Sequence, residues 1–193
     1  MKKAVIIIFM ILSSLYCKAQ VIMSIEEYEK YQNTTEEVQF PDYIKDINGT
    51  FNKYVGTWKG TDDNKTYEVI VTKTTRSRNI MNVRVVKYDA LLVRYKITDS
   101  KGTVLVDTRS LPDDSPYVIK GLVFTEEGSY QLSFRGTDNN LKNDGDILLD
   151  VYNGKMNFFF YPEPKVISGN PPNYFPNKTY TFPKEKSIYL TKH

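Results

Sequence analysis

Hydrophobic and polar residues alternate along most of the chain after Tyr54. Val93, Tyr95 and Ile97, for example, are separated by Arg94 and Lys96. The same alternation recurs at residues 103–107, 130–134, 147–151 and 156–160. A period of two is typical of a β-strand that buries one face. The chain is therefore predicted to be all-β from this point, with about eight to ten short strands.

Short polar stretches that favour turns separate these strands. Asn153-Gly154 is the strongest of them, because a type I′ turn needs a positive φ at both central residues. Similar stretches occur at 62–64, 99–102 and 143–145. Consecutive hairpins build an antiparallel meander, which closes most simply into a single β-barrel. A β-sandwich is the main alternative.

Two segments depart from the period of two. Ser24-Ile25-Glu26-Glu27 is a capping box, which predicts a short helix from Ser24 to Gln32 ahead of the barrel. Asp42 to Ile47 is predicted to form one further turn. Residues 162–183 hold six of the nine prolines, which excludes a central strand. This proline-rich segment is either a lid or a crossover that packs its aromatic side chains onto the barrel.

The first residues have the pattern of an export signal. Met1-Lys2-Lys3 is basic, Ala4 to Leu12 is apolar, and Cys17 and Ala19 are small residues that favour cleavage after Ala19. The apolar run is shorter than the ~20 residues of a membrane-spanning helix, so no membrane span is expected. We predict a signal peptide over 1–19, a helix and linker over 20–47 and a barrel domain over 48–193. The alternative is a lipoprotein anchored through Cys17.

The predicted signal peptide accounts for the net positive charge. Three of the 26 basic residues lie in it, so the rest of the chain has 23 basic and 23 acidic residues. This balance gives no electrostatic reason to expect a nucleic acid partner. Cys17 is the only cysteine, whereas secreted eukaryotic domains usually carry disulfides. We therefore predict an exported bacterial protein, either periplasmic or extracellular.

Residues with catalytic or metal-binding chemistry are scarce. The only histidine is His193, which leaves no internal base to activate a serine and no histidine–cysteine zinc set. The acidic stretch 138–146 could bind calcium, but Lys142 stands where a ligand is needed. We expect no metal, no cofactor and no enzymatic activity. Three acidic pairs leave a carboxylate-based hydrolase open: Asp62/Asp63, Asp113/Asp114 and Glu126/Glu127.

One face of the predicted strands is strongly apolar, and in a barrel this face points inward. Barrels of about eight strands either fill the interior with side chains or hold a small ligand there. The residues predicted to contact such a ligand are aromatic: Trp58, Tyr95, Phe134, Phe158, Phe160, Tyr174 and Phe175. Arg94 and Lys96 are predicted to face solvent, because they alternate with Val93 and Tyr95.

Residues 54–59, Tyr-Val-Gly-Thr-Trp-Lys, resemble the first strand of lipocalins, in which a Gly-x-Trp closes the barrel floor. Lipocalins stack an arginine on that tryptophan, and this chain has no arginine after Arg135. Most of the chain after the predicted signal peptide is similar to a family of exported, lipocalin-like proteins of Bacteroidota bacteria, known as a domain of unknown function. The similarity includes an export signal ending in Ala-Gln and a tail with Pro183, Ile188, Leu190 and Lys192. It implies a lipocalin-like barrel and export, and it supplies no catalytic residue.

Two functional hypotheses follow. In the first, which the sequence favours, the barrel binds a small hydrophobic or amphipathic ligand in its interior. In the second, the interior is filled and the barrel acts through its surface, as a protein-interaction or inhibitor module of the cell envelope. Whether the interior is open or filled distinguishes these hypotheses.

Overall fold

The computed structural model describes residues 20–32, 40–80, 84–125, 128–136, 144–162 and 180–193. The chain divides into two compact units. The first comprises the described residues of Met1–Lys45 and Ser77–Tyr88, and the second comprises those of Asp46–Arg76 and Asp89–His193. The predicted signal peptide lies outside the described residues, and the predicted limits at residues 19 and 47 stay predictions.

The first unit contains strand β1 (Ile22–Ser24), helix α1 (Ile25–Gln32) and strand β2 (Tyr43–Lys45). The capping box forms at the start of α1. The Glu27 backbone N–H donates to Ser24 Oγ at 3.1 Å, and the Ser24 N–H donates to the Glu27 carboxylate at 2.9 Å. The second bond also lowers the pKa of Glu27. These reciprocal bonds satisfy backbone donors that a helix start leaves unpaired, and the predicted helix is confirmed.

The turn predicted for Asp42 to Ile47 is wrong, because β2 occupies its centre. β2 pairs in parallel with β1 and with residues 87–88. The Arg84 guanidinium forms an ion pair with the carboxylate of Asp42, just ahead of the strand. A strand of three residues is too short to show a period of two, and its partner at 87–88 lies far along the sequence.

Nine further strands follow in the described part of the chain. In chain order they are β3 (Gly56–Asp62), β4 (Lys65–Ile80), β5 (Arg84–Thr98), β6 (Val104–Asp107), β7 (Ile119–Phe124), β8 (Tyr130–Phe134), β9 (Gly145–Tyr152), β10 (Lys155–Pro162) and β11 (Ser187–Lys192). A 3₁₀ helix at Thr50–Lys53 precedes β3. β4 and β5 carry residues of both units.

Eight of these strands form a closed antiparallel barrel. The order around it is β3, β4, β5, β7, β8, β9, β10, β11 and back to β3. Val93 of β5 pairs with Ile119 of β7, so that β6 lies outside the ring and pairs with β5 alone. Lys192 of β11 lies opposite Trp58 of β3 and closes the barrel. The predicted all-β antiparallel meander barrel is confirmed.

Two-residue turns connect β3 to β4 and β9 to β10. Asp63 and Asn64 between β3 and β4 have φ of 46° and 59°, and Asn153 and Gly154 between β9 and β10 have φ of 50° and 72°. A positive φ at both positions is the type I′ geometry, which matches the right-handed twist of the strands. Both predicted turns are confirmed.

The predicted alternation places apolar side chains in the barrel core. Val69 and Val71 of β4, Leu132 of β8 and Leu149 of β9 are all buried. Arg94 lies on the opposite face of β5, but its side chain is only 13% exposed, because its Nε donates to the Leu111 carbonyl at 2.9 Å and its guanidinium pairs with Asp113. The predicted solvent exposure of Arg94 is therefore wrong. The inward face is therefore the apolar one, as predicted.

Candidate functional site

The barrel interior contains every predicted ligand-contacting residue that the structure describes. Trp58, Tyr95, Phe134, Phe158 and Phe160 are each at most 1% exposed. They lie at alternating positions on four barrel strands, and their side chains point inward. Tyr174 and Phe175, the other two predicted residues, lie outside the described residues.

Phe182 lies at the centre of an aromatic cluster in this interior. Its ring centroid is 4.7 Å from that of Phe158, 4.9 Å from Tyr95 and 5.2 Å from Phe134. The rings of Tyr67 and Phe160 lie 6.2 Å away. These distances are typical of direct ring contact. We call these six residues the Phe182 cluster. The described end of the proline-rich segment thus packs an aromatic side chain into the barrel, as the crossover alternative predicts.

A second aromatic cluster lies toward the end of the barrel where β3 and β8 begin. Its members are Phe51, Tyr54, Phe124 and Tyr130. The Tyr130 ring is 5.0 Å from Phe51 and 4.9 Å from Phe124. A Cβ at Gly121 would lie 2.0 Å from the Tyr130 hydroxyl, so glycine at this position makes room for the ring. Side chains therefore occupy the described interior at both ends of the barrel.

Trp58 is fixed by contacts on two sides. Its Nε1 donates to the Tyr54 carbonyl at 2.7 Å. The Lys192 ammonium lies 5.4 Å from the indole centroid, within the range of a cation–π contact. The His193 N–H donates to the Thr57 carbonyl at 2.9 Å and holds the end of the chain on β3. The cation that contacts Trp58 is therefore the ammonium group of a lysine on β11.

Replacing Lys192 by methionine is expected to lower the free energy of unfolding by about 0.5–1 kcal/mol, because the cation is lost while an apolar stem remains. Urea unfolding measures this change. Lys192→Arg should retain most of the stability. Lys155→Met, which alters an exposed lysine on β10, is the matched control and should have a smaller effect. Equal losses at the two positions would contradict a stabilising contact with Trp58.

Two buried hydroxyl groups in the interior are unpaired. Neither Tyr54 Oη nor Tyr95 Oη has a hydrogen-bond partner among the described residues. Burial raises the pKa of Tyr95 above its usual range. Burial, with the nearby charges of Asp62 and Asp63, raises the pKa of Tyr67 to about 12. These phenols stay protonated at neutral pH and can donate a hydrogen bond.

A polar cleft of about 320 Å³ lies where β8 and β10 end and β9 begins, beside the exposed side chains of Ser133 and Tyr161. A row of three side chains on adjacent strands forms its centre. Ser133 of β8 lies opposite Asp146 of β9, which lies opposite Tyr161 of β10. Arg135 and Asp144 line the cleft beyond the ends of β8 and β9. We call this feature the outer cleft.

Hydrogen bonds hold the acidic side chains of the outer cleft. Asp146 Oδ2 accepts from Gln131 Nε2 at 2.8 Å, and Asp144 Oδ1 accepts from the Gly136 N–H at 3.2 Å. A Cβ at Gly145 would lie 2.3 Å from the Tyr161 carbonyl oxygen, so glycine lets β9 and β10 approach closely at this point. Sequence reasoning did not find the outer cleft, because its row depends on the register of three strands.

A buried polar network joins the 3₁₀ helix to β4 and β5. The Asp46 side chain is fully buried, and its Oδ2 lies 2.8 Å from Lys73 Nζ. The same oxygen accepts from the Phe51 N–H at 3.3 Å. Asp89 accepts at one oxygen from the Asp46 N–H, at 3.0 Å, and at the other from the Thr75 hydroxyl, at 2.8 Å. We call these five residues the Asp46 network.

Where they are described, the acidic pairs singled out in the sequence make ion pairs with basic side chains, and the pair Asp62/Asp63 lies near Tyr67 of the Phe182 cluster. Asp62 lies 2.5 Å from Lys186 Nζ, and Asp113 lies 2.5 Å from the Arg94 guanidinium. Glu126, Glu127 and residues 137–143 of the acidic stretch lie outside the described residues. Within the described ranges, no group of three or more histidine, cysteine, aspartate or glutamate residues could hold a metal ion. A membrane-spanning helix is likewise not found there.

These features define an all-β protein with a closed eight-stranded antiparallel barrel and an aromatic interior. The chain belongs to a family of unknown function, DUF6705, which matches residues 1–146. No curated protein and no solved structure matches the chain. The matched range includes the Gly-x-Trp motif of β3 and ends at Asp146 in β9. Membership of a family of unknown function is confirmed, and the similarity to lipocalins and to Bacteroidota proteins stays a prediction.

Proposed function

We propose that this protein is an exported, lipocalin-like binding module that recognises its partner through the outer surface of the barrel. The observation that carries the proposal is the position of Phe182. Its ring contacts those of Tyr95, Phe134 and Phe158, which are the side chains that an interior ligand would have to meet. Protein interiors packed in this way leave few voids larger than a water molecule.

The lipocalin-like assignment rests on the start and the end of the barrel. Trp58 lies at the beginning of β3, and the Lys192 ammonium lies over its ring. In this position a lysine replaces the arginine that lipocalins stack on their tryptophan. Export rests on the signal pattern of residues 1–19, with a lipoprotein anchored through Cys17 as the alternative. The mass of the protein purified from the bacterial envelope distinguishes cleavage after Ala19 from lipid attached to Cys17.

A second candidate function is the binding of a small amphipathic ligand inside the barrel. The unpaired hydroxyls of Tyr54 and Tyr95 favour it, because a buried hydroxyl without a partner costs roughly 1–3 kcal/mol. A ligand with a polar head could accept a hydrogen bond from Tyr95. Its apolar tail would then have to displace Phe182 from the aromatic cluster.

Titration of the purified exported protein with fatty acids and with a fluorescent hydrophobic dye tests both functions. If the interior is packed, native mass spectrometry should show no stoichiometric fatty acid. Tyr95→Phe should then leave the protein without uptake and no less stable, because it removes an unpaired hydroxyl. One bound fatty acid per chain, with affinity reduced by Tyr95→Phe, would overturn the surface-binding proposal and support the interior site.

A further inference from the structure

We infer that the outer cleft is a binding site for a neutral saccharide. This inference rests on the proposed function, because it assigns recognition to the outer surface of the barrel. The cleft volume of about 320 Å³ falls within the range of roughly 300–1,000 Å³ that small-molecule sites span. The three residues of its central row lie on paired strands, which position side chains more rigidly than free loops do, while Arg135 and Asp144 lie just beyond the strand ends.

The central row of the outer cleft offers chemically different groups side by side. Ser133 carries a hydroxyl, Asp146 a carboxylate and Tyr161 an aromatic ring with a hydroxyl. Two strand spacings separate the ends of the row, about 9–10 Å in total. The hydroxyl groups of a sugar both donate and accept hydrogen bonds, so they can donate to the Asp146 carboxylate and exchange hydrogen bonds with the hydroxyls of Ser133 and Tyr161. The apolar C–H face of the sugar can pack on the tyrosine ring.

The row and the neighbouring Arg135 have hydrogen-bonding groups that are left available for a ligand. The side chains of Ser133, Arg135 and Tyr161 make no hydrogen bond or ion pair within the described residues. Asp146 uses Oδ2 to accept from Gln131, and its other oxygen makes no such bond there. The bond from Gln131 also fixes the orientation of the carboxylate, so less side-chain entropy is lost on binding.

The outer cleft has charges of both signs, Asp144 and Asp146 against Arg135, and this mixture favours a neutral ligand over an ion. Two carboxylates, Asp144 and Asp146, disfavour an anion beside them, and the Arg135 guanidinium disfavours a cation. The polar side chains would lose hydration without compensation against an apolar ligand. A neutral ligand rich in hydroxyl groups satisfies donors and acceptors together. On the same outer face, the next row includes the half-buried Leu148 and Phe159, which extend the apolar surface available to a sugar ring.

Nuclear magnetic resonance titration of the exported protein tests this inference. The probes are neutral oligosaccharides of glucose, galactose, mannose and N-acetylglucosamine, with an oligogalacturonate as the acidic probe. At least one neutral probe should shift the backbone amides of Ser133, Gly145, Asp146 and Tyr161. Tyr161→Ala should weaken its binding about tenfold or more, because the stacking surface is lost.

Tyr189→Ala is the matched control, since Tyr189 is an exposed tyrosine on β11 that does not line the cleft. It should change the affinity less than twofold. Thermal unfolding checks that both variants fold, and Asp146→Asn should weaken binding without a change in side-chain size. Binding of no neutral probe, binding of the acidic probe alone, or equal losses in the two tyrosine variants would overturn the saccharide site. Fatty acid uptake would instead overturn the proposed function, and so the two failures are distinguishable.

Discussion

Replacing Phe182 by alanine is expected to lower the free energy of unfolding by about 3–5 kcal/mol. The ring is 1% exposed and contacts five aromatic side chains. Its removal costs the burial of the side chain and leaves a cavity whose walls are β-strands, which cannot easily collapse into it. Urea denaturation followed by the fluorescence of Trp58, the only tryptophan, measures the change.

The same variant should gain an affinity for small apolar molecules. An enclosed apolar cavity left by a missing ring stays dry and can bind a ligand such as benzene. The matched control is Tyr189→Ala, an exposed aromatic on β11, which should shift stability by less than about 0.5 kcal/mol. If Phe182→Ala costs less than about 1 kcal/mol and no cavity binds benzene, Phe182 does not fill the interior.

The sequence predicts the barrel well because its determinants are local. Strand faces follow from a period of two, which Tyr67, Val69 and Val71 show over five residues. Hairpins follow from turn residues with a positive φ, such as Asn153-Gly154. The capping box at Ser24 and Glu27 likewise involves neighbours in sequence. Each of these features can be read within a window of a few residues.

Features that depend on distant partners could not be predicted. β2 is only three residues long, and its pairing with residues 87–88 leaves no periodic pattern around Tyr43. In β6, Val104 and Leu105 are both exposed, because this strand lies outside the closed ring and has no buried face. Alternation alone does not tell whether a strand belongs to the barrel.

The residues of the barrel interior could be predicted from local alternation, whereas the position of Phe182 and the outer cleft could not. The alternation predicts that Tyr95, Phe134 and Phe158 point inward, and they do. It does not predict that Phe182 packs among them, because the proline-rich segment has no periodicity. The outer cleft depends on the register of β8 against β9. A turn is predicted at 143–145, but the connection over residues 135–144 is too long for that signal alone to fix the register.

Breaking the ion pair between Asp46 and Lys73 is expected to destabilise the protein strongly. Lys73→Met should lower the free energy of unfolding by about 1–3 kcal/mol, because it leaves a buried carboxylate without its ammonium partner. Removing one partner of a fully buried ion pair costs about 3–5 kcal/mol. A smaller loss is expected here, because the Lys73 side chain is 35% exposed and water partly screens its charge. Asp46→Ala should cost about 2–4 kcal/mol, because the Phe51 N–H also loses its acceptor.

A double-mutant cycle measures the coupling within the network. Asp46→Ala combined with Lys73→Met should cost less than the sum of the single variants by about 1–2 kcal/mol, since the second change removes a partner that is already unpaired. Lys59→Met is the matched control, because the Lys59–Glu68 pair at 3.1 Å is more exposed. It should cost at most about 1 kcal/mol.

The Asp46 carboxylate also contacts a residue of the second aromatic cluster, Phe51, through the backbone N–H of that residue. Phe51 donates its N–H to Asp46, while its ring packs on Tyr130 at 5.0 Å. Loss of the acceptor should loosen the 3₁₀ helix and speed hydrogen exchange at the Phe51 amide more than at the amides of β9. Lys73→Met keeps the acceptor and should change that exchange less, although it also destabilises the barrel. Equal acceleration in both variants, or additive energies in the cycle, would show that Asp46 acts on global stability alone and does not position Phe51.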